Sequence, residues 1–381
     1  MSYASQTHES PDLLPVTPST PPTRPLRVGV VGCGNIAGPY AKSMADHDEV
    51  ELVAATDVDP ARAAAFAAEH GGRAHETLDA LLADPDVDLV VNLTVHHAHH
   101  AVSKRALEAG RHVYSEKPMA LEAEEALELV ALARRQGVRL ACAPSTFLGE
   151  AQQTAGAIIR GGELGTVRAV YADVNWGRIE TWHPAPIPFY DVGVLVDVGV
   201  YPLTIATAFL GPAVAIEARG WELMPDRVTT SGERYHIGSP DLIIATVELT
   251  GGAVMRLTGS FYVGRPIREP GRLEFHGDGA SVALSSFQDF DARVERGPVG
   301  GAFEAAAYVR EPYRGIDWGR GVADLARAIT VGTPQRVTGD HAAHVVDILS
   351  AARRSMREKR RIEIESRFEA PPLMDWAAAR R

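Results

Sequence analysis

Short apolar runs alternate with stretches of helical spacing through the first third of the chain. Leu26 to Val31 is apolar, β-branched and ends at a glycine, as a strand buried on both faces reads. Ala37 to Ala45 has helical spacing, Val50 to Ala55 is a second strand, and Pro60 to His70 is an Ala-rich helix with proline in its first turn. The rhythm continues with a strand over Asp88 to Thr94, a helix over Ala101 to Ala109 closed by Gly110, and a strand over His112 to Ser115. A helix over Leu121 to Gln136 and a strand over Arg139 to Ala143 complete it. This alternation predicts an α/β domain over residues 26–145, a doubly wound parallel sheet of the Rossmann type.

After Pro144 the pattern changes. A helix over Ala151 to Arg160 gives way to β-rich runs at Val167 to Val174, Val214 to Trp221, Leu242 to Leu249, Ala253 to Tyr262, Arg272 to Gly277 and Ser281 to Leu284. Consecutive strands without intervening helices predict an α+β second domain over residues 146–381 with a large, mostly antiparallel open sheet. Helical spacing at Pro202 to Leu210, Gly321 to Ile329 and Asp340 to Arg353 offers cover for one face of it. The first 25 residues carry six prolines among Ser and Thr, too little apolar surface to offset ordering, so a flexible arm is expected over residues 1–25.

Net charge narrows the partners. At −11 the chain lacks the clustered Lys and Arg that neutralise phosphates, so neither nucleic acid nor an anionic membrane is expected, and a small molecule is. With two cysteines, no apolar stretch of spanning length and no export signal visible, a reducing, cytoplasmic setting is the expectation.

The segment Gly32-Cys33-Gly34-Asn35-Ile36-Ala37 matches G-x-G-x-x-[GA] directly after a strand and at the start of a helix. Gly32 allows the tight turn, Gly34 lets backbone amides approach a pyrophosphate beside Asn35 and Ile36, and Ala37 allows close packing of helix on strand. Asp57 ends the second strand where a carboxylate accepts ribose hydroxyls and repels a 2′-phosphate, so NAD is expected over NADP. Asp59 is better placed to cap the helix at Pro60. His96, His97, His99 and His100 invite a metal, but no cysteine or carboxylate is spaced to complete a site, and none is expected.

Glu116-Lys117-Pro118 inside Ala109 to Pro118, Thr94-Val95-His96-His97-Ala98-His99, and Asp197-Val198-Gly199-Val200-Tyr201 together resemble the glucose-fructose oxidoreductase, inositol dehydrogenase and rhizopine catabolism family, Gfo/Idh/MocA, over roughly Leu26 to Arg353. The resemblance implies that Lys117 lies between nicotinamide and substrate, with Glu116, Thr94, His96, His97 and His99 lining the cofactor. Tyr201 stands where many members carry histidine, as in the glucose-fructose oxidoreductase branch, so it is the implied acid/base, with Asp197 orienting it or binding a substrate hydroxyl. Trp182-His183-Pro184 reads as a pocket wall against sugar C–H faces, Arg178 as a possible anchor for an anionic substituent, and Phe147 as a further substrate contact. Asp191-Val192-Gly193 departs from the glycine-rich loop of similar proteins.

The implied activity is removal of hydride from a secondary hydroxyl of a sugar, polyol or sugar derivative by a homodimer or homotetramer. Three other readings stay open at this point. An NAD-dependent glycosidase would use the same residues with no net redox change, a non-catalytic NAD-binding regulator would use only the nucleotide site, and an imine or biliverdin reductase would need an apolar pocket.

Overall fold

The computed structural model of the chain describes residues 24–264 and 269–378, so the arm expected over residues 1–25 lies almost wholly outside the described residues. The first sheet is built from β1 (Leu26–Val31), β2 (Val50–Thr56), β3 (Arg73–His75), β4 (Leu89–Asn92), β5 (His112–Ser115) and β6 (Leu140–Cys142). Its order is β3-β2-β1-β4-β5-β6, and every pair is parallel. Helices α1 (Ala37–Met44), α2 (Pro60–His70), α3 (Leu78–Ala83), α4 (His99–Glu108) and α5 (Ala123–Gln136) connect the strands. Val28, Val30, Leu89 and Val91 are fully or almost fully buried, at roughly 1.5–3 kcal/mol for each side chain removed from water. Asp59 caps α2, its side chain accepting from Ala61 N, as its position implies. The short β3 and α3 were not legible, being too brief to show periodicity.

Beyond α6 (Glu150–Arg160) come β7 (Val167–Asn175), α7 (Ile187–Val192), α8 (Val200–Leu210), β8 (Ala213–Trp221), β9 (Asp226–Val228), β10 (Arg234–His236), β11 (Leu242–Leu249) and β12 (Val254–Ser260). Then follow β13 (Leu273–Gly277), β14 (Ala280–Leu284), β15 (Val294–Pro298), β16 (Glu304–Ala305), α9 (Arg320–Thr330), α10 (Gly339–Glu358), β17 (Ile362–Glu363) and α11 (Asp375–Ala378). Nine of these strands make one open sheet, β16-β15-β14-β13-β7-β12-β11-β8-β17, antiparallel except where β12 runs parallel to β7. Among the described residues no helix is long and apolar enough to cross a membrane.

One helix was not foreseen, and one expectation about helices needs correction. The proline-rich stretch around Trp182 contains a helix, α7, because Pro186 and Pro188 sit at its start, where a missing N–H costs nothing. Helix α9 packs on α1, β2 and β6 of the first sheet instead of covering the second. Close approach explains it: a Cβ on Gly319 would come within 2.8 Å of Met44 N, and the Gly319 amide donates to Ser43 Oγ at 2.8 Å. Helix α10 lies between the two layers, touching β8 on one side and α5 on the other.

On α10, His341 is buried, stacked on Phe368 at 4.2 Å and paired with Thr207 Oγ1 at 2.8 Å, and His344 accepts from Ala213 N. Burial, with the neighbouring His344, pushes His341 down to about 3; burial likewise pushes His344 down to about 4. Both histidines are therefore neutral in the fold, while in the unfolded chain they titrate near ~6.5. Below that value the unfolded chain binds protons that the fold refuses, so stability is full above pH ~6.5 and declines as pH falls toward the folded values. Each histidine should cost about 2 kcal/mol by pH ~5. Denaturant unfolding between pH 7 and 5 checks this: His341→Gln should flatten the slope, and an unchanged slope would refute it.

Candidate active site

The loops that leave the carboxyl ends of β1, β4 and β5 meet where the strand order reverses, the crevice in which such sheets hold ligands. Gly32 has φ +94°, and a Cβ there would strike the Leu93 and Thr94 backbone at 2.8 Å, so the turn requires glycine. A Cβ on Gly34 would meet nothing within 4 Å, so this part of the loop faces open space. Helix α1 begins beside it with no side chain capping its amides and no acidic residue in its first turn. Open space in front of uncapped amides suits a diphosphate. Asp57 follows β2 and takes the Cys33 amide on Oδ2 at 2.7 Å and the Asp59 amide on Oδ1 at 2.9 Å, which ties the carboxylate to the glycine loop. These residues fit a dinucleotide.

Across the crevice Lys117 reaches from the end of β5 to the turn before α8. Its Nζ donates to Asp197 Oδ1 at 2.9 Å and to the Asp197 carbonyl at 2.5 Å, and lies 5.5 Å from the centroid of the Tyr201 ring. Burial opposes the ammonium, but the carboxylate of Asp197 and the nearby Tyr201 and Glu116 outweigh it, so Lys117 titrates above its ordinary value. Tyr201 is pushed up to about 12, chiefly by burial, with Lys117 pulling the other way and Glu116 and Asp197 adding to the rise. Asp197 stands on a π-helical turn, Leu195–Gly199, and α8 starts at Val200, two residues before the spacing had placed it. The carboxylate therefore holds Lys117; the orientation of Tyr201 comes from elsewhere. Its ring stacks on Phe287 at 5.9 Å, and Gln288 acts to lower its phenol. Neither Phe287 nor Gln288 stood out in the sequence, because they lie more than 80 residues further on in an unremarkable turn.

The remaining expected residues divide. His96 is half-buried beside Lys117 and is pushed down to about 4 by burial and then by that ammonium, so it is neutral at ordinary pH. Thr94 donates through Oγ1 to Asn92 Oδ1 at 2.7 Å, and His97 is exposed. His99 is buried, its ring nitrogens 2.7 Å from the Pro118 carbonyl and 2.9 Å from the Thr94 carbonyl, so it braces two loops instead of facing the crevice. Glu116 is likewise internal: Tyr40 donates to its Oε1 at 2.7 Å and the Lys117 amide to its Oε2 at 2.9 Å. Phe147, expected against substrate, is 1% exposed and packs on His341 beside a cavity of about 20 Å³, room for a single water. His100 turns away to Glu128, and among the described residues no three His, Cys, Asp or Glu side chains gather as a metal site.

Trp182, His183 and Phe189 form one aromatic cluster, with ring centroids 4.8 to 6.2 Å apart. Trp182 is exposed, and the Arg178 guanidinium, also exposed, lies 3.7 Å from Met224 Sδ. The sequence had given no hint of Arg227, which joins Glu180 and Tyr190 on either side of these residues. It is wholly buried and donates to Glu180 Oε1 at 2.9 Å, to Tyr190 Oη at 3.0 Å and to Asp241 Oδ2 at 2.6 Å.

Comparison with known proteins agrees with this geometry. Residues 26–143 match the model of the oxidoreductase family with an NAD-binding Rossmann fold, and residues 152–283 match the Gfo/Idh/MocA C-terminal domain. The chain is 33% identical over 220 residues to a dTDP-3,4-didehydro-2,6-dideoxy-α-D-glucose 3-reductase of Saccharopolyspora spinosa, covering 55% of this chain and 64% of that one. It is 29% identical over 240 residues to a trans-1,2-dihydrobenzene-1,2-diol dehydrogenase of Sus scrofa, covering 62% and 67%. The matched stretch thus spans less than two thirds of the bacterial reductase. Among solved structures, an NAD-binding oxidoreductase from Klebsiella pneumoniae superposes with TM-score 0.79 at 22% identity over 90% of this chain and 100% of that one. The WlbA dehydrogenase from Bordetella pertussis, in complex with NADH and UDP-GlcNAcA, gives 0.76 at 22% identity over 91% and 99%. With an NAD-binding Rossmann domain followed by the matching C-terminal domain, the chain belongs to the Gfo/Idh/MocA family of oxidoreductases.

Proposed function

We propose that this protein is an NAD-dependent oxidoreductase acting on a secondary hydroxyl of a sugar, polyol or sugar derivative, with Lys117 and Tyr201 handling the proton. The observation that carries this is the convergence of an ammonium and a phenol, 84 positions apart, at the mouth of the nucleotide crevice. When bound, NAD would accept or return a hydride, and Gly32, Gly34, the first turn of α1 and Asp57 are the residues that would hold it. Lys117, kept charged by Asp197, stabilises negative charge developing on the reacting oxygen. Tyr201 takes the hydroxyl proton in oxidation and supplies it in reduction. Trp182, His183 and Phe189 present rings to the sugar, and Arg178 would bind an anionic substituent. The dTDP-sugar 3-reductases and the dehydrogenase with bound UDP-GlcNAcA support a sugar or sugar nucleotide as substrate. Exposed Tyr171, Trp221 and Ile244 on the second sheet support pairing with a second copy, as a dimer or tetramer.

Three measurements test this. Lys117→Ala should lower kcat/KM by about 10²–10³-fold while NADH still binds, as followed by its fluorescence; near-normal turnover, or release of aglycone from an aryl glycoside with NADH unchanged, would overturn net oxidation through Lys117. Asp57→Asn removes the charge and keeps an acceptor for only one of the Cys33 and Asp59 amides, so the preference for NADH over NADPH should shrink about tenfold in calorimetric titrations. Because oxidation needs deprotonated Tyr201, kcat/KM should climb with pH, and Gln288→Leu, by removing an amide that lowers the phenol, should shift the climb to higher pH. A pH profile indifferent to Tyr201→Phe would reject the phenol as the base.

A further inference from the structure

Residues 178–193 carry the aromatic cluster yet form little regular structure of their own: one turn at Ile179–Thr181 and the short α7. A segment so rich in proline has few backbone hydrogen bonds to hold it, so side chains must. The hydroxyl of Tyr190, buried and next to Phe189 in α7, donates to Glu180 Oε2 at 2.6 Å and accepts from Ile179 N at 3.1 Å and from Arg227 Nη1 at 3.0 Å. That uses its one proton and both lone pairs. Arg227 stacks over the Tyr190 ring at 5.0 Å and donates through Nε to the Met224 carbonyl at 2.6 Å. Asp241, at the start of β11, accepts from Arg227 and from the Leu223 and Met224 amides at 2.6 and 3.1 Å. Phe261 closes the cluster edge-on to Tyr190 at 5.4 Å.

We propose that Arg227, through Tyr190 and Glu180, is a positioning residue that fixes the Trp182–His183–Phe189 wall and with it the recognition of the sugar's apolar face. The proposal rests on the reading above that this wall borders the substrate. Both ends of the segment are pinned. At its start, Glu180 and the Ile179 amide meet Tyr190 and Arg227; at its end, the Asp197 amide donates to the Gly193 carbonyl at 3.0 Å, so α7 runs straight into the turn that holds Lys117. A guanidinium serves where an ammonium could not, because its planar fork meets a carboxylate on each side and a phenol at once. The cluster also resists titration: although burial opposes it, Tyr190 and Arg227 hold the Glu180 carboxylate below its ordinary value, and burial and Glu180 raise the Tyr190 phenol.

A double-mutant cycle with steady-state kinetics on a sugar substrate tests this. Tyr190→Phe removes three hydrogen bonds but keeps the ring, and Arg227→Met removes the fork, although stranding two buried carboxylates could prevent folding; Tyr190→Phe then carries the test. Trp182→Ala should raise KM about tenfold with kcat within about twofold. Tyr190→Phe should raise KM in the parent but leave it unchanged in the Trp182→Ala background, since a wall already removed cannot be misplaced. Additive effects on KM would overturn the positioning role while leaving the enzyme reading intact. If Trp182→Ala leaves KM unaltered, the wall does not touch substrate, and this inference falls along with that part of the proposed function. NADH affinity should be unmoved throughout.

Discussion

An ammonium withdrawn from water needs a partner, and the pairing of Lys117 with Asp197 is the constraint around which the two sheets are arranged. Lys117 belongs to the end of β5 and Asp197 to the approach to α8, so their contact, two hydrogen bonds from one Nζ, closes the crevice between the layers. Losing either partner would strand a buried charge, typically a matter of about 3–5 kcal/mol. The turn that carries Asp197 is π-helical, a form that turns up often where function requires a local distortion. It rests on β12 at Gly259, where a Cβ would come within 3.0 Å of both Val194 and Leu195. β12, an interior strand of the second sheet, is thus bare where the site's own scaffold crosses it.

Other buried polar groups repeat the theme of joining distant segments. Glu150 receives Arg310 and Arg320, while Asp317 receives Arg320, Ser43 and His47, which ties α9 to α1 and α6 at once. Arg336 meets Asp324 and Asp375, bringing the last helix back to α9. Each of these costs desolvation and returns it only when both partners are present, so they specify one arrangement more than they add stability. Apolar packing supplies the bulk of the cohesion, and the ionic joints choose how the layers face each other.

What the sequence made legible follows from this division. Strands β1, β2, β4 and β5 and the glycine loop are local patterns: a buried parallel strand is apolar throughout, and a turn that passes within 2.8 Å of another backbone must be glycine at Gly32. Lys117 and Tyr201 were visible through a family resemblance, their proximity through nothing local. Arg227 was invisible because its partners lie 47 residues before it and 14 after it, with no periodicity connecting them. His99 and Glu116 were assigned outward because their motif neighbours line the crevice, and Phe147 as a substrate contact; packing turned all three inward. The extra strands β15 and β16 escaped for a related reason, since β15 carries glycine and proline at Gly297 and Pro298 and reads as a turn.

The electrostatics of the site carry a direction. With Lys117 raised by Asp197 and Tyr201 raised to about 12 by burial, both groups hold their protons near neutrality when no ligand is present. Such a pair is ready to donate, which suits reduction of a carbonyl without further adjustment. Oxidation in the proposed function asks more: the phenol must be lowered far from this value, and Lys117 is the side chain that acts in that sense most strongly, against Glu116 and Asp197. A positively charged nicotinamide, if bound alongside, would act in the same sense as Lys117. In the proposed function the same scaffold would serve either direction, with the balance set by the charge of what occupies the crevice and not by any change in the residues that line it.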